Sequence, residues 1–237
     1  MTEQAVGRIA ALWRYPVKSM AAEALEEAEV SWHGIAGDRR WAFIREGLER
    51  SNFPWLTIRE RADLRDYRPS FVEPGRPDAS ATMVHTPGEK SLDVADPALA
   101  GELGEGVRVI KQNRGVFDAS PLSLISTRSV AGIGASLGTD LEVQRFRPNL
   151  LVEATGGSAF PEDEWVGSVL RIGGMKMRVD QRDERCVMVN VDPSSGERDP
   201  TILRAIAQER QACLGVYGST VEPGRVAVGD AVVLETA

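Results

Sequence analysis

Cysteine and histidine are scarce in this chain of 237 residues, with two of each. The scarcity excludes whole classes of chemistry. There is no CxxC pair, no four-cysteine set for an iron–sulfur cluster and no HExxH. His33 and His85 alone cannot build a histidine-rich metal site. Two cysteines cannot staple a chain of this length, so a reducing compartment, the cytoplasm, is expected. Long apolar runs are also lacking. The stretch VGRIAALWRYPV is broken by Arg8 and Arg14, so neither a signal-peptide core nor a membrane span is expected. Cations are outnumbered: 28 Lys and Arg face 35 Asp and Glu, a net charge of −7. That balance argues against a nucleic-acid partner while leaving room for a local basic pocket. Repeats and low-complexity tails are absent.

What is present is a sizeable apolar fraction, 42%, arranged mostly as short β segments. The length suits one large domain or two small ones sharing an interface, and a boundary is plausible near KQNRGVFDAS. AEVSWHG puts Ala28, Val30 and Trp32 on one face of a half-buried strand. RWAFIRE predicts a second strand after the turn GIAGD. MVHTPGEKSLDV and VLRIGGMKMRV predict hairpins around Pro87-Gly88 and Gly173-Gly174. CVMVNVDP reads as a strand with Val187, Val189 and Val191 on one face. GRVAVGDAVVLE reads as a terminal strand bent at Gly229-Asp230. YRPSFVEPGRPDAS reads as a long surface loop or a connection within a first β unit.

Three helices are expected. DPALAGELG starts with Asp96 as cap and Pro97 in the first turn. STRSVAGIGASLG spaces Val130, Ile133 and Leu137 on one face and stops at Gly138. DPTILRAIAQERQA repeats the Asp-Pro start at Asp199-Pro200 and aims Ile202, Leu203, Ile206 and Ala207 at a core. The pattern predicts a mainly β chain with a few short helices, an α+β arrangement of barrels or sandwiches.

Two motif matches fail on context. GASLG matches a G-x-S-x-G nucleophile elbow around Ser136, but a helical pattern precedes the serine where a strand is required. GIGASLG resembles a dinucleotide fingerprint, but its third glycine falls one residue late and no βαβ alternation surrounds it.

Basic residues recur at the ends of apolar segments: Lys18 beside Ser19, Arg39 and Arg40 after Gly37-Asp38, Arg147 in RFRPNLLVE, and Arg185 before Cys186. Each alone reads as an ordinary surface cation. Converging, they would make an anion pocket, with arginine forks suited to phosphate. Cys186 has three readings: a buried packing residue, half of a disulfide with Cys213, or a thiolate favoured by nearby cations. Cys213 reads as a helix exit into a strand. Asp180 or Asp183 could relay protons, against the plainer reading of a solvated turn carboxylate.

YPVKSM, GDRRWAF, SPLSLIS, RFRPNLLVE, EDEWVG, RCVMVNVDPSSG and VYG…VAVGD, in this order over residues 7–234, resemble the molybdenum cofactor sulfurase C-terminal (MOSC) domain proteins. Those that carry an N-terminal β-barrel domain are the nearer match, among them the amidoxime-reducing components and bacterial homologues. The resemblance implies two interlocked β-barrel-like domains, the N-terminal one over residues 1–112 and the MOSC domain over 113–237. It also implies a molybdenum–molybdopterin cofactor at their junction, with Cys186 as the protein's ligand to molybdenum and the catalytic centre. Cofactor contacts fall on Lys18, Ser19, Arg39, Ala119, Ser120, Arg147, Asn149, Arg185 and Tyr217. Relatives can carry Thr at position 119 and Ser at 184, where this chain has Ala119 and Glu184.

The implied activity is reduction of N-hydroxylated compounds such as amidoximes, hydroxamic acids and hydroxylamines. The cysteines of a fused ferredoxin-like domain are missing, so a separate ferredoxin, flavodoxin or cytochrome would supply electrons. The other function class kept open is a sulfur carrier, or a molybdenum cofactor carrier without turnover. Neither a nucleic-acid nor a membrane partner is expected, nor a pyridoxal phosphate site.

Overall fold

The computed structural model describes residues 2–48 and 50–236. The chain begins with β1 (Thr2–Arg14), β2 (Glu23–Leu25), β3 (Glu27–Ser31), β4 (Gly34–Ile35) and β5 (Trp41–Arg45). Next come β6 (Arg68–Phe71), β7 (Thr82–His85), β8 (Ser91–Asp93), helix α1 (Pro97–Leu103) and β9 (Val107–Lys111). Then follow β10 (Leu122–Ser126), α2 (Thr127–Leu137), β11 (Leu150–Ala154), β12 (Val169–Ile172) and β13 (Met175–Glu184). Last are α3 (Pro200–Arg210), β14 (Cys213–Glu222), β15 (Gly224–Ala227) and β16 (Ala231–Thr236). The protein is therefore mainly β with three short α-helices among the described residues, as the patterning predicts.

Two compact units interleave along the chain. One takes the residues up to Trp13, Ala24–Ala36 and everything from Ala119; the other takes Arg14–Glu23 and Gly37–Asp118.

The first unit is a closed barrel. Its strands run in the order β11-β10-β14-β13-β12-β16-β1, and β1 pairs back onto β11, so seven strands close. The closing register sets Ile9 against Val152 and Leu12 against Leu150, with a bulge between Ile9 and Ala11. Further bulges interrupt the β13–β14 pairing. Such bulges bend long strands and raise their twist, which closure requires. Period-two patterning fills the inside: Leu170 and Ile172 from β12, then Met175, Met177 and Val179 from β13, are all fully buried. Each such side chain contributes about 1.5–3 kcal/mol over leaving it exposed.

A second cluster joins α2 and α3 to the barrel wall through Ile125, Ile133, Phe146, Val189, Ile202 and Ile206. Both helices are capped, α3 at the Asp199 start that the sequence predicts. Ser126 Oγ accepts from Ser129 N at 3.0 Å, and Asp199 Oδ1 accepts from Thr201 N at 2.9 Å. Gly138 ends α2 in the left-handed conformation. One α3 position is corrected: Ala207 faces solvent and Ala205 is buried instead. Trp32 is corrected too. The β3 strand stops at Ser31, whose hydroxyl bonds to Gly34 O and to His33 N, and this turn throws the indole out to 62% exposure.

The second unit holds the β5–β9 pair and the sheet β6-β7-β8. Its core is built from Val17, Met20, Phe43, Leu64, Val84 and Leu99. Part of the proline-rich stretch is corrected from loop to strand. Arg68–Phe71 pairs with β7, and Pro69 is tolerated because β6 lies at the sheet edge.

Candidate functional site

Cys186 lies where β13 leaves the barrel wall. The strand's last residue, Glu184, pairs with Cys213 at the start of β14, and Arg185 N donates to Ala212 O at 2.7 Å. Beyond it, Val187–Asn190 winds into a 3-10 turn with Cys186 as its N-cap residue. The expected valine strand is therefore corrected: Val189 and Val191 are buried, but Val187 is 45% exposed. The reason is local. Asn190 Oδ1 accepts from Leu203 N at 3.0 Å, and Asn190 O accepts from Asp199 N at 2.8 Å. These bonds commit the segment to α3 rather than to a sheet edge. Cys186 and Cys213 are both half-buried, and neither is in a disulfide.

The surrounding polar groups form one connected chain within this unit. Arg185 donates from Nε to Leu214 O at 2.6 Å and from Nη1 to Phe146 O at 2.8 Å, and Nη2 lies 2.9 Å from Asp183 Oδ2. Ser123 Oγ donates to the same Asp183 oxygen at 3.3 Å. Asn149 joins the chain by accepting from Ser123 N at Oδ1 (3.2 Å) and donating from Nδ2 to Trp13 O (3.1 Å). The solvated-turn reading of the two aspartates is thus corrected. Both lie inside β13; Asp180 pairs with Arg178, and Asp183 is only 1% exposed.

Arg147 caps the 3-10 turn Val143–Phe146 in the left-handed region, φ 49°. Tyr217 sits half-buried on β14, in register with Ser123 of β10. Ala119 is exposed and Ser120 half-buried. Ser136, of the rejected elbow motif, lies within α2 and donates to Glu209 Oε2 at 2.9 Å.

In the other unit, Lys18 and Ser19 are buried in the turn after β1. Lys18 Nζ donates to Asp118 Oδ1 at 2.6 Å and to Val116 O at 3.2 Å. Arg59 approaches the same carboxylate at 3.8 Å. Burial works against ionisation of Asp118, but Lys18, then Arg59 and Arg39, outweigh it and hold its pKa below the ordinary carboxylate value. Arg39 Nη1 pairs with the fully buried Asp38 at 2.5 Å, and its guanidinium lies over the Tyr15 ring at 4.5 Å. Arg40, read only as a cation near the pocket, is buried against Asp78.

Ser19 has φ 69° and Arg39 φ 49°, so these two share the left-handed backbone of Arg147. For residues with a Cβ this region costs about 1–2 kcal/mol, and such strain clusters at functional positions. The Ser19 hydroxyl is buried without a hydrogen-bond partner. An orphaned buried hydroxyl costs about 1–3 kcal/mol, and a ligand oxygen would satisfy it. Among the described residues, no group of three or more His, Cys, Asp and Glu could hold a metal. A metal here would rest on the single thiolate of Cys186 together with donors from its own organic ligand.

Within each unit, then, the structure gathers candidate residues. Arg185 and Asn149 share one chain of an ion pair and hydrogen bonds beside Cys186, and Lys18 and Ser19 adjoin a cluster with Arg39. Ser123, Asp118 and Arg59 carry those arrangements and were not expected to; Asp183, read as a proton relay or a solvated carboxylate, carries the first of them through its pairing with Arg185. Asp183 had a signal, since counting by twos from Met175 through Val179 lands on it.

Comparison with known proteins shows the family. The MOSC domain matches residues 111–233, and the MOSC N-terminal beta barrel domain matches residues 6–111. Mitochondrial amidoxime reducing component 2 of Bos taurus is 25% identical over 284 aligned residues, covering 97% of this chain and 83% of the relative. The molybdenum cofactor sulfurase of Drosophila mojavensis is 26% identical over 256, covering 89% of this chain and 31% of that protein. Among solved structures, the YuaD protein of Bacillus subtilis shares the fold, with a TM-score of 0.55 at 12% identity over 100% of this chain and 98% of that one. With the MOSC domain spanning more than half of its length, this chain belongs to the MOSC domain family.

Proposed function

We propose that this protein binds a molybdenum–molybdopterin cofactor and reduces N-hydroxylated compounds, taking electrons from a separate ferredoxin, flavodoxin or cytochrome. The observation that carries the reading is Cys186: a half-buried thiol outside any disulfide, at the head of a short turn in the RC…VDP segment of a MOSC chain. Thiolate is the soft ligand that suits a transition metal of this kind. The orphaned hydroxyl of Ser19 fits a ligand rich in acceptor oxygens. Arg39 and Arg147 would supply guanidinium donors, and Tyr217 a phenol. Ser120 would supply a hydroxyl, and Asn149 would hold the barrel end in shape. At Ala119 only the backbone could make contact.

When bound, the cofactor supplies the two-electron chemistry that removes oxygen from an N–OH group. The net change consumes two electrons and two protons and releases water. The chain's own part is to bind, orient and set the electrostatics. The two cysteines of these 237 residues do not make an iron–sulfur relay, which accords with the external donor proposed.

The test is molybdenum per chain after expression in a cofactor-competent host, for wild type and Cys186→Ala. Near-stoichiometric metal in wild type and its loss in the variant is the expected result. Equal metal in both would sink the ligand role. A loaded protein that reduces no N-hydroxylated substrate, even with reduced viologen as donor, would sink the reductase and favour a cofactor carrier. A labile extra sulfur on Cys186 without metal would favour a sulfur carrier.

A further inference from the structure

We infer that Asp183 and Ser123 are positioning residues that fix Cys186 by locking the side chain of Arg185. The inference rests on the cofactor reading for its functional meaning, but its structural basis is independent. Arg185 is buried, with 6% of its side chain exposed, and its guanidinium is engaged by protein oxygens from three segments. Leu214 O on β14, Phe146 O at the 3-10 turn and the Asp183 carboxylate on β13 surround it. The ring of Phe146 also lies beneath it at 5.5 Å. An arginine held this way acts as a planar clasp: Nε and Nη1 are hydrogen-bonded within the protein, and Nη2 is ion-paired with Asp183.

The clasp has a partner at the other end of the turn. Arg145 Nη1 donates to Asn190 O at 3.4 Å, and its Nη2 is paired with Asp192. The segment bearing Cys186 is thereby tied to the turn Val143–Phe146 on both sides. Asp183 makes the first tie possible, because a guanidinium buried without a counter-charge is strongly destabilising. Ser123 fixes the carboxylate in turn, and is itself aligned by Asn149 through the 3.2 Å bond to its N–H.

The test uses the full chain from a cofactor-competent host, as Asp183→Asn, Arg185→Gln, the double variant and Ser123→Ala. One readout is the rate of molybdenum loss on dialysis, with the electron paramagnetic resonance signal of the partly reduced protein. The other is amide hydrogen exchange at residues 186–190 in metal-free protein. Asp183→Asn should speed metal loss about tenfold, alter the resonance signal, and speed exchange at 186–190 while β12 and β16 stay unchanged. Ser123→Ala should move the same readouts less. Since Asp183 acts through Arg185, the double variant should be no worse than Arg185→Gln alone. Effects that add in the double variant, exchange that rises equally everywhere, or an Asp183→Asn protein indistinguishable from wild type would each overturn the inference. If wild type takes up no molybdenum, the cofactor reading falls instead, and the exchange comparison still decides whether Asp183 positions the segment.

Discussion

Ser19 is the residue at which stability and ligand binding pull apart. Its hydroxyl is buried and unsatisfied, on a strained backbone. Removing an unsatisfied buried polar atom should stabilise the protein, by about 1 kcal/mol. Ser19→Ala is therefore expected to melt no lower than wild type while losing cofactor more readily. Calorimetry of metal-free protein and molybdenum content after dialysis separate the two effects. A variant that melts well below wild type would show that the hydroxyl has a structural partner. Asp118, ion-paired with Lys18 of the same turn, gives a second test. Its pKa is lowered in the fold, so the Lys18–Asp118 pair stabilises fully above the ordinary carboxylate value, about 3.9. That contribution is lost as pH falls through the lower folded value. The urea-midpoint gap between wild type and Asp118→Asn should be flat from pH 5 to 8 and close below about pH 4. A gap that persists in acid would assign the effect to shape rather than charge.

At the scale of elements, the sequence was most legible where a local rule had no competitor. Asp96-Pro97 and Asp199-Pro200 start α1 and α3 because capping acts within one turn. The hairpins at Pro87-Gly88 and Gly173-Gly174 formed for the same reason. Alternation failed where a side-chain hydrogen bond overruled it: Asn190 drew VMVN into a turn, and the Ser31 hydroxyl ended β3 before Trp32. Motif order supplied the candidate residues, yet their engagement with Asp183, Ser123 and Asp118 depends on strand neighbours far apart in sequence. Gly215 on β14 shows how closely element geometry and site are linked. It has φ 78°, and an added Cβ would lie 2.8 Å from Leu124 O and 3.0 Å from Arg185 Nη2. Gly215→Ala should therefore destabilise by about 2–4 kcal/mol, combining left-handed strain with displacement of the clasp. Denaturant unfolding checks the first part, and exchange at residues 186–190 checks the second. A neutral result would mean that β14 relaxes freely at this bulge.

At the scale of the whole chain, the feature least visible in sequence is interleaving. The change from a β-rich half to a helix-containing half suggests a boundary near KQNRGVFDAS, but no local pattern shows that β1 closes a barrel whose other six strands all lie beyond residue 121. Closure is a long-range pairing, with Ile9 opposite Val152 and Leu12 opposite Leu150. Both Ile9 and Leu12 are 1% exposed, and β1 supplies hydrogen bonds to β11 on one side and β16 on the other. A fragment comprising residues 113–237 would keep six barrel strands with two raw edges and an unroofed core. Unpaired edges and lost apolar contacts of this kind favour association over folding. The fragment is therefore expected to be aggregated or loosely ordered, with poor amide dispersion and no cooperative melt. Supplying residues 2–13 as a separate peptide should recover part of the dispersion. In the intact chain, Ile9→Ala should cost about 2–5 kcal/mol at the same seam. A fragment that melts cooperatively without β1 would mean that the barrel is closed by its other strands, and that the N-terminal segment adds to a fold already complete.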